Sequence, residues 1–217
     1  MSFFIQQLFT SPWYYCSWVI LVAFSICVHE YAHAWMALRC GDDTAARAGH
    51  LTLNPLVQMG PVSLVMLLVL GLAWGAVPVE PGRFRRFDGA KVAFAGPAAN
   101  LALCIVFALL AAVGLRFFRA ADGDATPAVE LLKFAADANG MLFVLNLLPL
   151  PLLDGWSVLG GLFPALEEWQ QRMGPQLSWI LMLLLIATPL FGFVWYAGAA
   201  VATHAVLLWF GLLNLIG

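Results

Sequence analysis

The sequence predicts an all-α polytopic membrane protein with about five transmembrane helices and one re-entrant segment. Composition is the first reason. Of 217 residues, 63% are hydrophobic and 10% charged, with a mean hydropathy of +0.89, against roughly 45 to 50% and 25% in soluble domains. The second is that apolar runs of membrane-crossing length alternate with short polar, turn-rich stretches. Ten Lys plus Arg against twelve Asp plus Glu leave a formal charge of −2. No basic tract interleaved with aromatics appears, which excludes nucleic acid as a partner. The expected surroundings are a lipid bilayer and apolar partners.

Trp13 to Arg39 is long enough, at about 1.5 Å per residue, to cross a hydrocarbon core of roughly 30 Å. Its WYYCSW end reads as an interfacial aromatic belt. The N-terminal MSFFIQQLFTSPWYY lacks the positive n-region and small-residue cleavage site of a signal peptide, so this helix is expected to be retained. From Gly41, the polar and turn-rich GDDTAARAGHLTLNP takes the chain out of the membrane. Val62 to Ala76 is apolar but short for a span, and MGP and VPVEPG bound it. A basic stretch, Arg83 to Lys91, leads into a span at Val92 to Leu115. After the polar RAADGDATP, another span covers Leu131 to Leu148. Pro149 and Pro151 break that helix ahead of Asp154. Pro164 to Pro175 reads as an amphipathic or loop segment outside the bilayer. Leu177 to Ile216 is too long for one span, and TPLFG, Thr188 to Gly192, divides it. One integral-membrane domain is expected over 1–217, with a core at about 13–157 and accessory helices at about 176–217. Cys16, Cys27, Cys40 and Cys104 show no C-x-x-C spacing and read as structural thiols.

Charge placement bears on Val62 to Ala76. A full span would put Arg83, Arg85, Arg86, Lys91 and Arg172 on one face against Arg39, Arg47, Arg116, Arg119 and Lys133 on the other, five against five. A segment that dips in and returns gathers Arg39, Arg47, Arg83, Arg85, Arg86, Lys91 and Arg172 on one face, seven against three. The positive-inside rule prefers the second. The first span then runs from outside to inside.

That span carries FSICVHEYAHAW. His29 and His33 are four residues apart, so at about 100° per residue they stand nearly above one another on one helix face. Such a pair chelates metal. Glu30 adjoins the first histidine, turned away from direct ligation but within reach of a water at the metal. This is the H-E-x-x-H arrangement, in which neutral imidazoles hold zinc and the glutamate serves as general base. Polar residues packed between helices are the plain alternative. Each ionisable group at mid-membrane costs roughly 2.5 to 3.5 kcal/mol on insertion scales, however, so three within five residues require a compensating role.

A hydrolytic zinc site normally has three protein ligands and leaves a fourth position for water. His50, His204, Asp137 and Asp154 are the candidates for the third. His50 sits in the polar loop, His204 in the last hydrophobic run, and Asp137 in a charged helix start. Asp154 lies in NLLPLPLLDGWSVL and is better placed. Unwound backbone at membrane depth is tolerated only where it lines a cavity or is buried in protein, and a broken helix ending in Asp-Gly aims a carboxylate into such a cavity. An aspartate in an exposed turn is the alternative. In AGPAAN, Ala95 to Asn100, Gly96, Ala98 and Ala99 read as small residues that let helices approach closely. Asn100 reads as an amide that bonds a neighbouring helix or a substrate backbone.

HEYAH, GPAAN and NLLPLPLLDG, in that order, resemble the three signatures of the site-2 protease family of intramembrane zinc metalloproteases. They frame a core from Trp13 to Ser157, about two-thirds of the chain. The resemblance implies a three-helix catalytic core and one Zn2+ per chain, held by His29, His33 and Asp154, with Glu30 activating water. It also implies that Asn100 and Asn146 hold an extended substrate or stabilise the transition state. Gly49 to Leu70 is similar to a compact subgroup that often reads LTLNP-x-x-H-x-D-P; here Gln58 and Gly60 stand where that pattern has His and Asp. No stretch is long enough for the PDZ or CBS domain of larger members.

The reaction so implied is hydrolysis of a peptide bond within or beside a transmembrane segment of another protein. The setting is the cell membrane, with the site nearer the cytoplasmic face. A helical substrate must unwind, and VPVEP, strand-like through Val77 and Val79, is expected to pair with it by β-augmentation. The rival from another class is a transporter or channel passing protons or metal through buried His and Asp. It would show inverted repeats and a second ionisable cluster deep in another helix, and the sequence shows neither.

Overall fold

The structure is a computed structural model that describes residues 4–118 and 125–216. Most of the RAADGDATP linker therefore lies outside the described residues. The main helices are α1 (Pro12–Arg39), α2 (Gly60–Leu70), α3 (Asp88–Phe117), α4 (Pro127–Asn146), α5 (Asp154–Leu162), α6 (Pro164–Ala187) and α7 (Leu190–Ile216). Among the described residues, α1, α3 and α7 are long and apolar enough to cross a membrane. The chain divides into two compact units, Met1–Ala99 with Ser157–Glu167, and Asn100–Trp156 with Glu168–Gly217.

In the first unit, Pro12 opens α1 at a position where a missing N–H is harmless. The helix closes in a Schellman turn: Gly41, at φ +92°, donates to Leu38 O and Asp42 N donates to Ala37 O. At 11 residues, α2 is only about 16 Å long, half a hydrocarbon core. It stops at Gly71, whose φ of +73° needs a residue without Cβ and whose Cα side is covered by the Phe4 ring. The carbonyls at its C-terminal end are satisfied from α1, because Tyr15 Oη donates to Leu68 O (2.9 Å) and Trp18 Nε1 to Gly71 O (3.0 Å). Residues 72–80 then run without helix. The chain turns back to the start of α2, where Ala76 N donates to Gln58 O (3.2 Å). Val22, Ile26, Cys27, Met59 and Leu67 form the apolar core between these elements.

In the second unit, α4 lies along α7. The crossing is made by glycine. A Cβ at Gly140 would strike the Gly198 carbonyl, and one at Gly198 would strike the Met141 backbone. Cys104, Ala108, Ala136 and Ala202 fill the core beneath. Of the four cysteines expected as structural thiols, Cys27 and Cys104 are buried, Cys40 is half-buried and Cys16 is exposed.

One sequence expectation shifts, and one open alternative closes. Thr126 caps α4 by accepting from Val129 N, and Pro127 takes the first helical position, so the helix begins before Leu131 and Asp137 falls mid-helix rather than at a charged start. Pro164 to Pro175 is backbone helix continuous with the apolar run behind it, as α6.

Candidate metal centre

His29, Glu30 and His33 are 5, 7 and 8% exposed, on the face of α1 turned into the first unit. The helical spacing brings the two rings edge to face, with centroids 4.6 Å apart and Nε2 atoms 2.9 Å apart. His33 Nδ1 lies 2.7 Å from Val92 O. A carbonyl only accepts, so Nδ1 carries the proton and Nε2 keeps its lone pair. The pair fits zinc. A tetrahedral ion with Zn–N bonds of about 2.0–2.1 Å holds its nitrogens about 3.3 Å apart, so the rings need to open by only about 0.4 Å.

Gly96 explains how two imidazoles face one another there. On α3, a Cβ at this position would lie 2.5 Å from His29 Nε2 and closer still to His33 Nε2. The hollow left by the missing methyl borders both nitrogens, where a shared ligand would sit. Gly75 does the same for Glu30, since a Cβ there would overlap the glutamate carboxylate.

The backbone that carries Gly75 is held from below. Ser63 Oγ donates to Trp74 O (2.6 Å) and accepts from Trp74 N (2.9 Å), and Ala76 N donates to Gln58 O (3.2 Å). Gln58, 1% exposed, donates through Nε2 to His50 O (2.8 Å) and Thr52 O (2.6 Å), and its Oε1 lies 3.1 Å from His50 Nδ1. The residue that replaces the subgroup histidine thus staples the 50–58 loop. Asp42, fully buried, closes the far end by accepting from Glu80 N (2.7 Å) and from the Thr44 N–H (3.0 Å) and hydroxyl (2.5 Å). Burial pushes its carboxyl up, but these bonds and the nearby Arg83 guanidinium outweigh it and hold the group below the usual carboxylate range.

In the second unit, the expected break after α4 is present. Residues 147–153 form tight turns, with Leu150 N donating to Leu148 O and Leu153 N to Leu150 O, and with Leu152 at φ +83°. Asp154 begins α5, half-buried. Gly155 behind it is required, because a Cβ would meet the carbonyls of Leu147 and Leu148. Asn100 Nδ2 donates to Asn139 Oδ1 (3.1 Å), whose Nδ2 donates to Ala135 O (2.9 Å), with both amides fully buried. The neighbouring-helix partner of Asn100 is therefore Asn139. Asn146 Nδ2 turns back to Leu142 O (3.0 Å).

Of the other ligand candidates, His50 is engaged with Gln58, and His204 is exposed on α7 with Nδ1 2.7 Å from Ala200 O. Sequence reasoning missed Gly75 and Asn139 and gave Gly96 only a packing role. Asn139 next to Gly140 inside an apolar run was a signal of the same kind as Asn100.

No family model matches the chain, and no solved structure matches it. Among curated proteins it is similar to YwhC of Bacillus subtilis, 34% identical over 183 residues, 81% of this chain and 82% of that protein. Rip2 of Mycolicibacterium smegmatis is 35% identical over 175 residues, 76% of this chain and 64% of the relative. Rip2 of Mycobacterium tuberculosis H37Rv is 36% identical over 172 residues, 75% and 62%. The chain thus spans less than two-thirds of each Rip2 protein. Their names assign all three as zinc metalloproteases. With a third of its residues shared across four-fifths of both chains in the first comparison, and a buried H-E-x-x-H pair at its centre, the protein belongs to the site-2 protease family of zinc metalloproteases.

Proposed function

We propose that this metalloprotease hydrolyses peptide bonds within or beside transmembrane segments of other membrane proteins, with its site nearer the cytoplasmic face of the cell membrane. The observation that carries the reading is the position of the H-E-x-x-H set. His29 lies ten residues inside the end of an apolar 28-residue helix, about 15 Å along its axis. A peptide bond at that depth belongs to a membrane-embedded partner. With α2 too short to cross, the seven-against-three distribution of cations supports the cytoplasmic assignment.

His29 and His33 are two zinc ligands, and Asp154, at the start of α5, is the proposed third. When bound, zinc supplies Lewis-acid chemistry, bringing the pKa of water to about 7 and polarising the scissile carbonyl. Glu30 takes the proton of the attacking water and delivers it to the leaving amine. Val92 O, by holding the proton on His33 Nδ1, keeps Nε2 available as a ligand. Asn146, bonded only to its own helix in the contacts above, is free to turn toward an extended substrate; the Asn100 amide first ties α3 to α4.

Residues 73–80 suit an unwound substrate. Trp74, Ala76 and Glu80 direct backbone groups into the unit, while among the described residues the backbone groups of Gly75, Val77 and Val79 have no hydrogen-bond partner. Alternate residues of an extended chain face opposite sides, which leaves one edge for a substrate strand beside Glu30. Glu30→Gln tests the reading: in proteoliposomes carrying a single-span substrate, zinc content should stay at the wild-type level while cleavage falls by about 10²-fold or more. Wild-type cleavage by that variant would remove Glu30 as the base.

A further inference from the structure

Outside the histidine site, the charged groups Asp42, Asp43, Arg47 and Arg83 of the first unit pair with one another, while a second group of cations is left in excess. Where the end of α1 meets the segment leading into α3, a cavity of about 500 Å³ is lined by Arg39, Arg85, Arg86, Phe87, Asp88 and Lys91, among others. The carboxylate is committed, since Asp88 accepts from Lys91 Nζ (2.8 Å) through Oδ1 and from Arg85 N (3.1 Å) through Oδ2. Among the described residues, no carboxylate lies within salt-bridge distance of the guanidiniums of Arg39, Arg85 and Arg86. Arg39 lies over the Trp35 ring (5.4 Å) and Arg86 over that of Phe87 (4.8 Å). Four cations and one carboxylate around the cavity leave an excess of three positive charges.

The surroundings say which anion would answer that charge. Phe87 in the lining and Trp35 under Arg39 are 45 and 43% exposed, and Leu38 and Phe94, on the same two helix ends in sequence, are 40 and 44% exposed. In a membrane such residues face acyl chains and interfacial lipid, while arginines stacked on aromatic rings present planar donors at the headgroup level. Cations at headgroup level above an apolar rim match a phospholipid, whose phosphate sits directly over its acyl chains. A free acidic peptide would use the cations and leave the rim unmatched.

We propose that this cavity is a binding site for the headgroup phosphate of an anionic phospholipid, with Arg39, Arg85 and Arg86 as its donors. The site lies at the end of the helix that carries His29 and Glu30, and anchors that end at a fixed depth.

The test is native mass spectrometry of the purified full chain in detergent, titrated separately with short-chain phosphatidylglycerol and short-chain phosphatidylcholine. The expected result is one tightly held phosphatidylglycerol per chain, bound roughly tenfold or more tighter than phosphatidylcholine. That adduct should be lost in R39Q/R85Q/R86Q and largely kept in R39K/R85K/R86K, which preserves the charge. If the glutamine triple variant does not fold, R85Q and R86Q, each at an exposed position, carry the test, with weaker binding expected in both. Equal affinity for the two lipids, or wild-type binding in the glutamine variants, overturns the proposal. So does displacement of the lipid by equimolar inorganic phosphate, which would mean an anion site indifferent to lipid. Displacement by a glutamate-rich peptide would make the cavity a peptide site and overturn it equally.

Discussion

Replacing Gly96 by alanine puts a methyl group into the hollow between the two histidines. The new carbon would lie 2.5 Å from His29 Nε2 and nearer to His33 Nε2, about 1 Å inside ordinary van der Waals contact. One ring must move by that amount, and neither moves easily. His33 is tied to Val92 O, and both side chains are buried on one face of α1. Overpacking of this kind costs about 1–3 kcal/mol of stability. The larger effect falls on the metal, because ligand positions are held to within about 0.2 Å in a competent site. Zinc affinity should fall by at least about 100-fold, more than the loss of a supporting hydrogen bond produces. The assay is zinc per chain by elemental analysis after equilibration against a zinc buffer, with Ala98→Gly, which opens rather than fills space on the same helix, as the control. Stoichiometric zinc at wild-type affinity in Gly96→Ala would refute the geometry from which the site is read.

Gly75→Ala should behave differently, keeping zinc while lowering kcat by about tenfold or more, because the methyl displaces the Glu30 carboxylate and not the imidazoles; matched zinc content and activity would count against Gly75 as a positioning residue. Asp42→Asn should alter the acid limb of stability. With its pKa depressed in the fold, Asp42 contributes stability that is fully present above the unfolded carboxylate value of about 3.9 and is lost as pH falls through the lower folded value. Acid unfolding followed by tryptophan fluorescence should lose that component in the variant, and identical pH profiles would contradict it. Asp154→Ala should lower zinc content together with activity, and Asp154→Glu should retain metal but lose most turnover; an Asp154→Ala protein with normal zinc and cleavage would place the third ligand elsewhere.

What was legible in the sequence was what local geometry decides. The pairing of His29 with His33 follows from helix periodicity alone, and the break before Asp154 from two prolines whose ring closure forbids helix. The span that became α1 needed only its length and apolarity. Gly96 is different: its meaning depends on α3 approaching α1, some sixty residues away in sequence, and a glycine beside alanines looks like any small-residue contact. Gln58 showed itself as a departure from a pattern, yet its three hydrogen bonds to the 50–52 backbone and ring exist only once the loop has closed. Pro164 to Pro175 read as either an amphipathic or a loop segment, and the sequence left the two open. Pro164 sits at the first helical position, however, and the apolar run behind Pro175 continues the same helix.

The non-helical segment after α2 and the ionisable helix account for one another. Three titratable groups on α1 at roughly 2.5 to 3.5 kcal/mol each are untenable against lipid, so something must cover that face. Gly75 packs on Glu30 nine residues from the end of α1, and so brings non-helical backbone to a depth of about 14 Å. Such backbone is itself untenable there unless its polar groups are met by protein. Part of them is met: Ser63 takes both groups of Trp74, Gln58 O takes Ala76 N, and Tyr15 and Trp18 take carbonyls at the end of α2, which among the described residues leaves the groups of Gly75, Val77 and Val79 open. A full-length span in place of α2 would have satisfied its own backbone and left no edge beside the glutamate. The segment after the short helix covers Glu30 with backbone that still has a free side, at Gly75, Val77 and Val79, where the proposed substrate strand would pair.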